Sequence, residues 1–163
     1  MIEQVRYIPL TQNKFAIVDA EDYERLNQYN WHIKDCGGCL YAATHLPQTN
    51  KLQFMHRMIL DIPKGKVPDH INSNGLDNRK SNLRICSKAE NQHNQKIHSE
   101  AKSSQFKGVY LDKRWGKWIA RIGINGKQIY LGSFNNERIA ASAYDMAAKK
   151  HYGEFANLNL KEA

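Results

Sequence analysis

The chain has 163 residues, of which 41% are hydrophobic, and it carries a formal net charge of +8. This length allows one ordinary domain or two small ones, and the chain contains no apolar run near the ~18 residues that a membrane span requires. Its first ten residues lack the basic and apolar stretches of a secretory signal, so we expect a cytoplasmic protein without a membrane anchor.

The positive charge is concentrated in the last third of the chain. Residues 1–60 contain six Lys or Arg and six Asp or Glu, whereas residues 101–163 contain eleven against five. A basic surface can simply be solvated, but charge gathered in one region favours an anionic partner, nucleic acid in particular. The composition therefore predicts a nucleic-acid-binding region in the last third of the chain.

The first sixty residues have the pattern of a β-rich segment with one helix. Predicted strands at "YIPL" and "KFAIVD" flank the turn residues of "TQNK". The stretch "DAEDYERLNQY" begins with acidic residues that suit the amino terminus of a helix. A hairpin is predicted at "WHIKD" and "LYAATH", and "LQFMHRMIL" leads into the centre of the chain. We predict that its His56 is a packed histidine rather than a ligand.

Two of the three cysteines frame the segment "CGGC" at residues 36–39. That spacing occurs in half a zinc site and in redox pairs. No second well-spaced pair follows, and the surroundings lack the strand–turn–helix pattern of a thioredoxin-like motif. We predict a Gly-Gly hairpin turn flanked by reduced thiols at Cys36 and Cys39, and zinc binding is the open alternative.

Residues 66–98 form a second predicted unit, in the order strand, loop, strand, helix. The strands are "KVPDHI" and "NLRIC", and the turn-forming residues of "INSNGLDNRK" make the loop between them. Ser87 followed by Glu90 is a capping box, which starts a helix at "SKAENQHNQKI". Three loop asparagines are predicted to cap turns: Asn72, Asn74 and Asn78.

The residue types around Asp69 and His70 suit phosphodiester hydrolysis. That reaction needs a base to activate water and a positive charge to stabilise the phosphate and the leaving oxygen. Asp69 and asparagine carboxamides offer the oxygen ligands that a hard divalent cation prefers, and a neutral histidine can act as the base. Neighbouring residues on an ideal strand point to opposite faces, however, so the two residues share one site only if the strand is distorted, which Pro68 and the loop after Ile71 make plausible. Spacing alone leaves this assignment open.

Residues 67–95 resemble the ββα-metal motif of HNH nucleases, in particular the phage and intron homing-endonuclease branch. The resemblance rests on Asp69-His70, on Asn82 twelve residues after the histidine inside "NLR", on Asn91 nine residues further, and on the loop "NGLDNR". It implies a DNA endonuclease that uses Mg²⁺ or Mn²⁺. In that reading His70 is the general base, and Asp69 and Asn91 are the metal ligands. Asn82 completes the catalytic set by bonding across the loop and holding His70 in place.

The last sixty residues follow a polar, serine-containing segment at 99–105, which we interpret as a linker. Strands are predicted at "FKGVYLD", "KWIARIGI" and "KQIYLGSF", and Asn125-Gly126 between the last two is a strong hairpin signal. The stretch "NNERIAASAYDMAAKKHYG" is predicted to be helical and to stop at Gly153. Small residues recur along it at helical spacing, so this helix should lie close to a three-stranded antiparallel sheet.

Basic and aromatic side chains are interleaved along these strands, which favours DNA contact through one face of the sheet. Residues 106–159 resemble the ethylene-response-factor (APETALA-type) DNA-binding domain of plants, through "FKGV", "WGKW", "IYLGSF", "AASAYDMAA" and "GEFANLNL". The strand pattern and the resemblance together give these DNA-binding residues: Lys107, Tyr110, Arg114, Trp115, Lys117, Arg121 and Tyr130. The plant pattern has other residues at four positions, so the plant target sequence does not carry over: Tyr110, Arg121, Gly123 and Tyr130. Alternation places Trp118 on the opposite face, against the helix.

The sequence therefore predicts an α+β protein of two parts. One is a ββα-metal (HNH) nuclease domain at 1–98, with a β-rich segment before its motif at 66–98. The other is an APETALA-type domain at 106–163, with a three-stranded antiparallel sheet packed on one helix. We expect a monomeric, site-specific endonuclease of double-stranded DNA, from a phage or mobile element in a bacterial or phage-infected cell.

Two other classes of function compete with this prediction. A sequence-specific DNA-binding regulator would keep the same fold with an inactive nuclease core, but the four chemical positions are intact. A zinc-stabilised adaptor would need metal ligands beyond Cys36 and Cys39, and the second cysteine pair is missing.

Overall fold

The computed structural model describes residues 4–95 and 103–160. The chain divides into two compact units, residues 1–91 and residues 92–163. Residues 99–102 of the predicted linker lie outside the described part. Ser104 belongs to the second unit, because its buried hydroxyl donates to Glu137 Oε1 at 2.7 Å and accepts from the Phe106 N–H at 3.0 Å.

The described residues of the first unit form short strands with two helices between them. In chain order they are β1 (Val5–Pro9), β2 (Phe15–Asp19), α1 (Ala20–Asn27), β3 (His32–Asp35), β4 (Leu40–His45), β5 (Leu52–Phe54), α2 (Met55–Ile59), β6 (Val67–His70) and β7 (Leu83–Cys86). The helix α3 (Lys88–Asn94) begins in this unit and ends in the second. All strand pairs are antiparallel, in the sheets β1–β2, β3–β4–β5 and β6–β7.

One hydrophobic core joins the elements of the first sixty residues. Its buried members come from β1, β2, α1, β4 and α2 and from the segments between them: Ile8, Leu10, Ala16, Val18, Leu26, Trp31, Ala42 and Met55. The predicted turn between the first two strands is confirmed, with positive φ at Gln12 and Asn13. The helix α1 starts as expected with Glu21 and Asp22 in its first turn, where acidic side chains favour the helix dipole.

The "CGGC" segment is the hairpin turn between β3 and β4, as predicted. Gly37 and Gly38 have φ values of 68° and 86°, which a residue with a side chain adopts only with strain. The Cys36 N–H donates to the Cys39 carbonyl at 2.9 Å, and the Gly38 N–H donates to Asp35 Oδ1 at 2.7 Å. Neither Cys36 nor Cys39 forms a disulfide bond.

The central strands β6 and β7 pair in a continuous register from Val67↔Cys86 to His70↔Leu83. No register shift interrupts the four pairs, so the distortion expected near Pro68 is absent from this ladder. The predicted capping box at the start of α3 is confirmed in both directions. The Ser87 N–H donates to Glu90 Oε2 at 2.7 Å, and the Glu90 N–H donates to Ser87 Oγ at 3.2 Å.

The second unit contains a three-stranded antiparallel sheet, in the spatial order β10–β9–β8. Its strands are β8 (Val109–Asp112), β9 (Lys117–Ile124) and β10 (Lys127–Phe134). The Asn125-Gly126 turn has positive φ at both residues, 50° and 75°, as a two-residue type I′ hairpin requires. A bulge separates the pairs Tyr130↔Arg121 and Gly132↔Ala120, so Leu131 has no residue opposite it.

The helix α4 (Glu137–Tyr152) covers one face of this sheet. Asn136 caps its start by accepting from the Arg138 N–H at 2.8 Å, and Gly153 caps its end with a φ of 56°. The residues buried along the helix are Ala140, Ala141, Tyr144 and Ala148. Trp118 packs on this side of the sheet, as alternation predicts.

The mixed α+β class is confirmed, because the described residues form small antiparallel sheets and four α-helices. None of the helices in residues 4–95 and 103–160 combines the length and the apolar character that crossing a bilayer demands.

Two glycines of the second unit have similar backbone conformations but different surroundings. Substituting each by alanine therefore separates the cost of a steric clash from the cost of backbone strain. Gly108 and Gly126 have nearly equal φ values, 73° and 75°. A Cβ at Gly108 would overlap the Tyr144 ring and lie 2.5 Å from the Arg121 carbonyl oxygen, whereas a Cβ at Gly126 would meet no atom within 4 Å. We expect Gly126→Ala to cost about 1 kcal/mol of unfolding free energy and Gly108→Ala about 1–3 kcal/mol more. Urea unfolding of both variants tests this, and equal losses would contradict the close packing of α4 on β8.

Candidate functional site

His70 lies at the end of β6 with only 6% of its surface exposed. Its ring is surrounded by aromatic side chains, because the His56 ring lies edge-on to it at 5.1 Å and the Tyr41 ring lies at 5.7 Å. Burial lowers the pKa of His70. The hydrogen bond with Asn78 and the carboxylate of Asp69 act in the opposite direction. A buried histidine with a lowered pKa is neutral at physiological pH, as a proton acceptor has to be.

His56 is a packed histidine, as the sequence predicts, but it packs against the candidate site. Its ring stacks on Phe54 at 5.5 Å and meets Tyr41 at 5.6 Å. Burial, followed by the proximity of His70 and Arg57, lowers the pKa of His56 to about 3. Within the described residues its Nδ1 has no hydrogen-bond partner. Its contact with His70 depends on the fold of the whole unit, which explains why the local pattern did not reveal it.

Asp69 forms a buried ion pair with Arg84, its cross-strand partner on β7. Arg84 Nε donates to Asp69 Oδ2 at 2.8 Å, and Nη2 lies 2.7 Å from the same oxygen. The Asp69 and Arg84 side chains are only 6% and 12% exposed, so little water screens their attraction. Arg84 was not among the residues predicted for the site, although it is the Arg of the "NLR" stretch that contains Asn82.

The loop after His70 is held by its own polar side chains. Asn72 Oδ1 accepts from the Asn74 N–H at 2.8 Å, and Asn74 Oδ1 accepts from the Leu76 N–H at 3.1 Å. These bonds confirm the predicted turn-capping roles of Asn72 and Asn74. Asp77, which is 2% exposed, accepts from Arg79 Nε at 2.8 Å and from Asn72 Nδ2 at 2.9 Å.

Asn82 bonds across this loop. Its Oδ1 accepts from the Asn72 N–H at 3.0 Å, and its Nδ2 donates to the Asp77 carbonyl at 2.7 Å. Its carbonyl oxygen also accepts from the Ile71 N–H at 2.9 Å, next to His70 in the chain. These contacts are with the chain around His70 rather than with the imidazole ring.

The side chain of Asn78 contacts the His70 ring instead of capping a turn. Its Oδ1 lies 3.3 Å from His70 Nε2, and the residue is 1% exposed. The prediction that Asn78 only caps a turn is therefore wrong. Local sequence supports that reading for any asparagine in such a loop, whereas the contact depends on how the loop folds back over β6.

Asn91 lies on α3, half-buried, and its N–H donates to the Ser87 carbonyl at 3.0 Å. Within residues 4–95, no hydrogen bond joins its side chain to Asp69 or His70. The structure thus places His70 and Asn82 around one loop, Asp69 beside Arg84 on the β6–β7 ladder, and Asn91 on the following helix.

Five of the predicted DNA-binding residues lie together on the sheet face that α4 leaves open. With Asp112, Ile119 and Ser133, they line a depression of about 440 Å³ in the second unit: Tyr110, Trp115, Lys117, Arg121 and Tyr130. We call these five residues the open face. Trp115 is 76% exposed and Tyr130 is 56% exposed, which is unusual for large aromatic side chains.

Some side chains of the open face are already held in place. The Arg121 guanidinium carbon lies 5.3 Å from the centre of the Tyr110 ring, in a cation–π contact, and Tyr130 is the cross-strand partner of Arg121. Lys117 Nζ donates to Asn135 Oδ1. Arg114 lies in the exposed turn between β8 and β9, beside Trp115 in the chain.

Lys107 stands apart from the open face. Its Nζ donates to the carbonyl oxygens of His93 and Gln95, at 2.7 and 2.8 Å, within the second unit. A lysine at the carboxyl end of a helix interacts favourably with the helix dipole. A DNA contact by Lys107, as the family resemblance implies, would be made by an ammonium group that already donates to these two carbonyls.

Comparisons with known proteins match two different families to two different parts of the chain. A family model described as HNH endonuclease matches residues 61–93, and an AP2 domain model matches residues 104–154. An uncharacterized HNH endonuclease of Acanthamoeba polyphaga mimivirus is 30% identical over 168 aligned residues, which cover 98% of this chain and 83% of that protein. The chain belongs to the HNH endonuclease family.

Plant proteins match only the carboxyl-terminal part. The AP2-like ethylene-responsive transcription factor TOE2 and the dehydration-responsive element-binding protein 2D, both of Arabidopsis thaliana, are each 48% identical, over 60 and 63 residues. Each match covers 37% of this chain, and the chain spans 12% and 30% of the two plant proteins.

The low pKa of His56 predicts a loss of stability in acid. In the folded protein His56 stays neutral down to a pKa of about 3, whereas an unfolded histidine takes up a proton near pH 6.5. Its contribution to stability is therefore complete above about pH 6.5 and is lost as the pH falls towards 3, by up to about 1.4 kcal/mol per pH unit.

We expect His56→Phe to flatten the decline in unfolding free energy between about pH 6.5 and pH 5. Urea unfolding at several pH values measures this dependence of the unfolding free energy on pH. His151→Phe makes the same replacement at an exposed histidine and serves as the control. Equal slopes in the wild type and His56→Phe would contradict a buried neutral His56.

Proposed function

We propose that this protein is a metal-dependent, site-specific DNA endonuclease of the homing type, in which His70 is the general base. The observation that carries the proposal is the buried Asp69-His70 pair at the end of β6, under an asparagine-rich loop, in a chain of the HNH endonuclease family. The residue types, their burial and the family of the chain all support a nuclease site at this pair.

His70 would accept a proton from the water that attacks the phosphodiester. Burial and the aromatic rings of His56 and Tyr41 favour the neutral imidazole, because a positive charge there would lose its hydration. Asn82 would keep the loop, and with it the main chain on both sides of Ile71, in one conformation.

Asp69 and Asn91 would hold the cation. Their carboxylate and carboxamide oxygens fit a hard divalent ion, Mg²⁺ or Mn²⁺, which supplies positive charge to the phosphate and the leaving oxygen. Arg84 fixes the Asp69 carboxylate, so a cation would share that group with the guanidinium. Within the described residues no group of three or more His, Cys, Asp or Glu could hold a metal ion. Further ligands would therefore come from amide oxygens, DNA and water.

The second unit would bind double-stranded DNA through the open face. Basic side chains among exposed aromatic rings can contact phosphates and base edges when a sheet enters the major groove. The chain would act as a monomer in a bacterial or phage-infected cell, as part of a phage or mobile element.

Metal-dependent cleavage is the first expected activity. Incubated with Mg²⁺ and a plasmid library that carries random inserts, the protein should linearise or nick a subset of plasmids, and sequencing of the cut ends should reveal a shared site. EDTA should abolish cleavage, because the phosphate charge would lose its main stabilisation. Cleavage that persists in EDTA would contradict the metal roles of Asp69 and Asn91. Binding without cleavage would favour the regulator with an inactive core.

Removal of the base should affect the rate of cleavage and spare DNA affinity. We expect His70→Ala to lower the single-turnover rate roughly 10²–10⁴-fold, the usual contribution of a positioned acid or base. His45→Ala removes an exposed histidine from β4 and serves as the control. Unchanged cleavage by His70→Ala would exclude it as the base.

Substitutions on the open face should weaken DNA binding more than equal charge changes elsewhere. Arg121→Ala should cost about 1–3 kcal/mol if the guanidinium contacts a base edge, and preference should relax at one position. Lys150→Ala removes the same charge from the exposed end of α4 and should change affinity little. Titrations of specific and random duplexes at two salt concentrations give the comparison. Equal losses in the two variants would place DNA binding outside the open face.

A further inference from the structure

The contact between Asn78 and His70 is not used by any role assigned so far. Both residues are buried, at 1% and 6% exposure, and Asn78 Oδ1 lies 3.3 Å from His70 Nε2. A buried hydrogen bond of this kind restrains both groups, because separating them would leave two buried polar atoms without a partner.

The position of Asn78 is fixed by the amino-terminal hairpin. Its N–H donates to the Ile17 carbonyl on β2 at 2.7 Å, and the Ile17 N–H donates to the Leu76 carbonyl at 2.8 Å. Between these two bonds Asp77 forms an isolated bridge with Ile17. The main chain at Asn78 therefore cannot move away from His70 unless this part of the loop detaches from β2.

The carboxamide of Asn82 is engaged elsewhere. Its oxygen accepts from the Asn72 N–H and its nitrogen donates to the Asp77 carbonyl, so both ends of this amide hold the loop. The hydrogen bond to the imidazole nitrogen Nε2 comes instead from Asn78. This division of labour differs from the one implied by the family resemblance, in which Asn82 holds the histidine.

The chemistry of a neutral imidazole then decides which nitrogen can accept a proton. A carboxamide oxygen is only an acceptor, so an Oδ1 facing Nε2 requires Nε2 to carry the hydrogen. The other nitrogen, Nδ1, then has the lone pair. Nε2 is covered by a buried side chain and cannot reach water, so proton uptake has to occur at Nδ1.

We propose that Asn78 is a positioning residue that holds His70 in the Nε2–H tautomer, so that Nδ1 accepts the proton from water. This inference rests on the proposed function, in which His70 is the general base. The reverse orientation of the Asn78 carboxamide would place its Nδ2 against Nε2 and move the hydrogen to Nδ1, which would remove the base.

The tautomer can be read directly in the full-length protein. Two-bond ¹H–¹⁵N correlation spectra separate the two neutral tautomers of each histidine, and the His70 signals are those that disappear in His70→Ala. We expect the Nε2–H form in the wild type and a mixture of tautomers in Asn78→Leu, which replaces the carboxamide with an apolar group of similar size. An Nδ1–H form in the wild type would overturn the proposal. This measurement needs neither DNA nor cleavage, so it is independent of whether the proposed function holds.

Kinetics separate positioning from general loss of structure. Asn78→Leu should lower the single-turnover rate about 10²-fold or more, with the DNA concentration for half-maximal rate nearly unchanged, because it removes a group that acts only on the base. Asn78→Asp keeps an acceptor oxygen at the same place. Assayed at about pH 8.5, where the imidazole beside the new carboxylate is neutral, it should retain most of the wild-type rate.

The control is Asn27→Leu, which makes the same replacement at an exposed position of α1 and should cleave like the wild type. Circular dichroism and urea unfolding show whether each variant is folded. If Asn78→Leu is folded and cleaves at the wild-type rate while His70→Ala does not, Asn78 has no positioning role and the proposed function still stands. If Asn78→Leu does not fold, the tautomer of the wild type and the rate of Asn78→Asp decide the question.

Discussion

The arrangement around His70 depends on two backbone hydrogen bonds between the asparagine-rich loop and strand β2. Through them Ile17 holds Leu76 and Asn78, and the loop closes over the end of β6 in a single conformation. Backbone bonds of this kind leave side chains available for other contacts, and here those contacts secure Asp77 and Asn82. The amino-terminal sixty residues are thus a structural support for the site, although none of the predicted catalytic residues comes from them.

Burial affects the carboxylate and the histidines of this region differently. Asp69 keeps a neighbouring positive charge, Arg84, which compensates for the loss of hydration. For His56 and His70, no neighbouring charge outweighs the loss of hydration. Burial therefore lowers the pKa of both histidines. One small cluster therefore contains a carboxylate and neutral imidazoles, the two kinds of group that the proposed metal-assisted hydrolysis would use as ligand and base.

What the sequence predicted well was local. The capping box at Ser87, the Asn125-Gly126 hairpin and the "CGGC" turn each depend on residues within a few positions of one another, and all three are present. Contacts between distant segments could not be read in the same way. The pairing of Asn78 with His70 and the capture of Lys107 by backbone carbonyls depend on the folded chain, and the same residue types fit simpler local interpretations. The family resemblance supplied the spacing of the candidate residues, but not their hydrogen-bond partners.

The cation–π contact between Arg121 and Tyr110 has a consequence for the thermodynamics of recognition. A free arginine side chain samples many rotamers, and a partner that captures it has to offset the lost conformational entropy. On this sheet part of that loss has already occurred during folding, because the guanidinium rests over an aromatic ring in the unbound protein. A ligand that matches the preset direction of this group binds without ordering it, whereas a mismatched ligand has to break the contact first. Selectivity then comes partly from rigidity that exists before any encounter.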